Sequence, residues 1–183
     1  MTAPRIQNLR WSIKNLLSVP RRLARRRGFG IHSPFAFDFV RRVIAQPCNY
    51  YCYPTIDNIA RKEHVKASRL RLLFRLSLYF RPQTFATLTD SDGAYRRIIN
   101  LGCPSAKESG SADAAFMLVV ENGHTAEAAA CVGRGGTVIV MNRSEDVDTI
   151  WRTTTTGMLF KGSDIAIFVG MRHLPHQQFR IWI

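Results

Sequence analysis

An open, mostly parallel α/β sheet behind a run of helices is the fold class this sequence predicts, and three observations predict it. The apolar spacing shifts near residue 82 from helical intervals to short continuous runs. Those runs, rich in β-branched residues, then alternate with helical segments, the pattern of strand–helix–strand units. One run, Phe116–Val120, is apolar throughout, as a parallel strand buried on both faces must be.

The helical preface comes first. Ile6, Leu9, Ile13 and Leu16/Leu17 recur every three or four residues with Arg5, Arg10 and Lys14 between them, which predicts an amphipathic helix ending near Pro20. Gly28-Phe29-Gly30 breaks the pattern. Ser33-Pro34 supplies a cap and a first-turn proline, so a second helix is expected over Pro34–Ala45. Pro47–Pro54 (PCNYYCYP) reads as a loop, and Thr55–Val65 and Lys66–Phe80 as two further helices, the last with Leu70, Leu72, Leu73 and Leu76 apolar.

Strands and helices then alternate. Thr84–Leu88 follows Pro82 as a first strand, Thr89–Gly93 is a turn cluster, and Ala94–Leu101 is helical. After Phe116–Val120 come an Ala-rich helix, Thr125–Cys131, a strand at Thr137–Met141 and a short helix at Glu145–Arg152. Gly157–Phe160, Ile165–Val169 and Phe179–Ile183 read as closing strands. The organisation expected is a basic helical region, 1–81, packed on an α/β region, 82–183.

Charge separates the same two parts. Residues 1–81 carry 17 of the 26 Lys/Arg but 3 of the 13 acids, a net +14, whereas 82–183 carry 9 basic and 10 acidic residues, a net −1. Arg21, Arg22, Arg25, Arg26 and Arg27 form the densest cluster. It reads either as a solvated charge run or as a surface for nucleic acid or an anionic membrane, where phosphates are met and counterions released. Tyr50, Tyr51 and Tyr53 admit two readings too, stacking on bases or packing against the α/β layer.

Other classes find little support. No apolar run nears the roughly 20 residues of a membrane-spanning helix, and Met1–Gly30 lacks the apolar core and cleavage site of a signal peptide. Cys48, Cys52, Cys103 and Cys131 lack zinc-knuckle or redox spacing and read as structural thiols, so a reducing, cytoplasmic setting is expected. No nucleophile–base spacing suggests a hydrolase.

Four phrases in chain order, GFGIHSPFAFDFVRRVI (28–44), RLLFRLSLYFRPQTFATL (71–88), ENGHTAEA (121–128) and HQQFRIWI (176–183), resemble small class I S-adenosylmethionine-dependent methyltransferases. The resemblance implies a Rossmann-like sheet with S-adenosylmethionine across the carboxyl ends of its strands. It puts Thr87 where the family has an acid facing the methionine ammonium, and Thr89 where it has the first loop glycine, with Gly93 retained. Asp90 and Asp92 either replace the lost acid or belong to a solvated turn. Glu121 and His124 match an Asp-Gly-Asn-His-like turn. They read as cofactor or substrate contacts, or a general base, or else as a loop acid beside a helix-capping histidine. Met141-Asn142 stands where the family carries acids that support metal-assisted chemistry, leaving Asn142 as a substrate-side candidate without that charge.

The segment between Leu101 and Ala115, GCPSAKESGSADA, is short and polar. One strand-to-strand crossover alone takes at least about 10–12 residues. A reduced Rossmann-like sheet is therefore expected, lacking its second and third strands and the carboxylate that would hold the ribose; Glu108 and Asp113 end no apolar run. The first strand then becomes an edge, to be covered by the N-terminal helices or by a second copy in a homodimer. The function expected is a methyltransferase-like protein with an eroded cofactor site, weakly active or inactive. The alternative is a non-catalytic basic binding module.

Overall fold

The computed structural model describes residues 31–88, 93–110, 112, 115–121, 123–141, 146–181 and 183. The first predicted helix and the Arg21–Arg27 cluster lie outside the described residues. Helix α1, Pro34–Phe39, starts where the cap signal put it: the Ala36 amide donates to Ser33 Oγ across 3.3 Å, with Pro34 in the first turn. It continues as a single π-helical stretch, Val40–Ile44. Its freed carbonyls are met from the next layer, since Arg75 Nε donates to the Val43 oxygen (2.6 Å) and Nη2 to that of Ile44 (3.2 Å). Helices α2 (Tyr53–Lys62) and α3 (Ala67–Phe80) follow.

The strands are β1 (Thr84–Thr87), β2 (Lys107–Glu108), β3 (Met117–Val120), β4 (Thr137–Met141), β5 (Met158–Lys161), β6 (Ile165–Val169) and β7 (Gln177–Arg180). They form one seven-stranded sheet in the order β2-β1-β3-β4-β6-β5-β7. All pairings are parallel except those of β6, which runs against both β4 and β5. Helix α4 (Ala94–Gly102) links β1 to β2, α5 (Thr125–Gly133) links β3 to β4, and α6 (Asp146–Thr153) links β4 to β5. The fold is α/β with a mostly parallel mixed sheet, as expected from the alternation.

Two expectations are corrected. Lys107–Glu108 does pair with Thr84–Phe85, so β1 is not an edge and the polar segment retains a two-residue second strand. The pairing rests on the backbone, with the Lys107 amide donating to the Gln83 oxygen (2.9 Å) and that of Ser109 to Phe85 (2.7 Å). Beyond β2 the sheet has no further strand on that side among the described residues; its seventh member, β7, lies at the other edge. This last strand also falls earlier than expected, at Gln177–Arg180 rather than Phe179–Ile183.

Side-chain alternation along the strands divides the core into two layers. On one face Phe85, Met117, Val119, Ile139 and Phe160 pack with α1–α4 through Phe39, Leu70, Leu73 and Ile98. On the other, Leu118, Val120, Val138 and Phe168 pack with Ala128 and Cys131 of α5 and Ile150 of α6. Phe39 anchors the helical preface, its ring 4.8 Å from that of Phe160 and within 6 Å of those of Phe35, Tyr79 and Phe80. Burial of one such ring contributes on the order of 1.5–3 kcal/mol. Among the tyrosines, Tyr53 is buried and Tyr50 stacks edge-on against Phe74, whereas Tyr51 is 98% exposed. Packing thus claims two of the three.

Candidate functional site

The crossovers from β1 and β3 leave in opposite directions, α4 on one face and α5 on the other. Such a divergence is the switch point at which open α/β sheets form a ligand crevice, outside the carboxyl ends of the neighbouring strands. Thr87 closes β1 on one lip, level with Val119 of β3, and the Leu88 amide still donates to the Val119 oxygen across 2.8 Å. Thr89, Asp90 and Asp92 lie outside the described residues, as does Asn142 beyond β4.

Gly93 is the N-cap of α4 with φ +67°, and a Cβ there would meet nothing within 4 Å. The glycine is therefore required by the left-handed turn rather than by a close neighbour. Gly123, with φ +79°, plays the same part after β3. Glu121 follows β3 on the opposite lip. Its Oε1 accepts the Tyr95 hydroxyl at 2.7 Å, so the first turn of α4 is tied to the end of β3 across the crevice. Tyr95 is 3% exposed. Thus Gly93, Thr87 and Glu121 are brought to one place, and Tyr95 is the residue that sequence reasoning missed. The available signal was an aromatic with a polar tip two residues after a helix-starting glycine.

His124 is the N-cap of α5 by position, yet its side chain makes no capping hydrogen bond. Its Nδ1 instead faces Glu127 Oε1 at 3.6 Å. The turn before it is held from α6, where Asp146 Oδ2 accepts the Gly123 amide at 3.0 Å. Charge around α4 is balanced pairwise. Arg96 and Arg97 occupy its first turns, where a cation opposes the helix dipole. Arg96 pairs with Glu108 at 2.9 Å, and Arg97 with Glu63 at the end of α2. Glu108 is level with Phe85, two residues short of the end of β1.

Three of the four thiols are buried, and Cys48 is exposed. Burial raises Cys131 to about 11, the Arg134 charge opposing it, and Cys52 and Cys103 are also buried. No group of three or more His, Cys, Asp or Glu side chains suited to a metal ion occurs among the described residues. No helix among them is long and apolar enough to cross a membrane. No family model, no curated protein and no solved structure matches this chain.

Proposed function

We propose that this chain is a methyltransferase-like α/β protein whose cofactor crevice has eroded, leaving weak catalysis or none. The carrying observation is the Tyr95–Glu121 hydrogen bond, which uses the post-β3 carboxylate to close the crevice rather than to receive a ligand. The fold supports kinship with a Rossmann-like sheet: parallel strands, helices on both faces and a switch point between β1 and β3.

Among the described residues, the groups present do not fit S-adenosylmethionine. Thr87 brings no charge to the end of β1 to face a methionine ammonium. Glu108, the acid nearest a ribose-binding position, is bound to Arg96 on a two-residue strand that stops level with Phe85. An unpaired ammonium and an unheld sugar diol each forfeit a charge-assisted hydrogen bond worth roughly 1.5–3 kcal/mol.

Isothermal titration with S-adenosylmethionine and S-adenosylhomocysteine tests the reading. Little or no saturable heat is expected with either. A dissociation constant in the low micromolar range, about −8 kcal/mol of binding, would show the crevice to be intact.

A further inference from the structure

Away from the crevice, an open groove of about 1200 Å³ runs between the π-helical end of α1, helix α3 and the turn joining β5 to β6. Four arginines line it, Arg41, Arg42, Arg69 and Arg75, against two acids, Asp38 and Asp164. Arg42 is paired with Asp38 at 2.6 Å, and Asp164 is shared by Arg69 (2.8 Å) and Lys66 (2.6 Å), so cations outnumber anions even after pairing. Arg75 is held by the Val43 and Ile44 carbonyls and by the Tyr53 hydroxyl, none of them an acid. Arg41 is exposed, makes no hydrogen bond or ion pair among the described residues, and lies 5.5 Å over the ring of Phe37. Aliphatic Ile44 and Leu72 complete the wall.

We propose that this groove binds single-stranded nucleic acid. Charge complementarity favours a polyanion. Aromatic surface beside the cations suits bases, with Phe37 on the wall 39% exposed. Shape favours a strand over a bilayer, because a flat membrane meets the rim of a concavity and leaves Arg69, with only 15% of its side chain exposed, out of reach. The groove is separated from the β1–β3 crevice by β4, so the inference is independent of the methyltransferase-like reading.

Fluorescence anisotropy of the full chain with a labelled 16-nucleotide oligouridine tests it, measured across a salt series. Saturable binding is expected that Arg41→Ala weakens roughly tenfold, the scale of one missing charge-assisted hydrogen bond. The salt slope should flatten by about 0.7 for each phosphate that Arg41→Ala and Arg41→Ala/Arg42→Ala leave without its cation. Arg172→Ala, at the opposite end of β6, should bind as the parent does, and thermal melts should show all variants folded. The proposal is overturned if the oligonucleotide is not bound. It is overturned equally if the two groove variants match the parent in affinity and salt slope, or if only changes at Arg25–Arg27 abolish binding. Co-sedimentation with vesicles of three parts phosphatidylcholine to one of phosphatidylserine, without oligonucleotide binding, would assign the cationic surface to membranes instead.

Discussion

The Tyr95 hydroxyl and the Glu121 carboxylate meet at 2.7 Å although 26 residues separate them. The bond joins the segment after β1 to the segment after β3, two adjacent strands each paired on both sides. A double-mutant cycle with Tyr95→Phe and Glu121→Gln should return a coupling of about 1 kcal/mol in urea denaturation. Additive effects would mean the pair is open in solution.

Glycines invite the opposite of the usual expectation. Alanine is the better helix former, but a Cβ at Gly102 in the last turn of α4 would lie 2.7 Å from the Phe74 oxygen and 2.9 Å from Ser77 Cβ. Those atoms belong to α3, whose backbone cannot give way cheaply. Gly102→Ala should therefore cost about 2–3 kcal/mol by overpacking. Gly93→Ala has open space and only the left-handed φ to bear, about 1 kcal/mol. Chemical denaturation of the two variants should rank them in that order, and equal losses would contradict the close α3–α4 approach.

Asp164 gives a pH dependence with a defined sign. Burial pushes its carboxyl up, but hydrogen bonds from Lys66, Arg69 and Ser163 together with the Arg69 charge outweigh it and leave the pKa at about 2. A depressed carboxylate stabilises the folded chain fully above its unfolded value of about 4 and loses that contribution as pH falls towards 2. After allowance for solvent around Lys66, the contribution is about 1–2 kcal/mol. Asp164→Asn should melt below the parent at pH 7, and the gap should close between pH 4 and 2. A gap that persists at pH 2 would point to packing instead of charge.

Much of this architecture is written in local chemistry. Ser33-Pro34 marks the start of α1, the leucines of 70–76 fix α3, and the unbroken run before Glu121 identifies β3. What escaped detection depends on partners distant in sequence. Lys107 and Glu108 have no apolar pattern, and they become a strand because the Gln83 and Phe85 carbonyls lie beside them. Gln177 joins β7 through the Gly157 oxygen, 3.2 Å away, which moved that strand two residues from its apolar signal. Tyr50, Tyr51 and Tyr53 are alike in sequence, and only the fold separates the packed from the exposed. At the site, Gly93 and Glu121 were legible as turn residues, whereas the bond from Tyr95 required knowing which strands are neighbours.

The shortness of β2 carries a consequence for how the protein behaves when crowded. Its two residues are a lysine and a glutamate, both exposed, with the glutamate clamped by Arg96. A border so brief and so charged offers a foreign strand almost nothing to zip onto, which guards this flank against runaway cross-β growth.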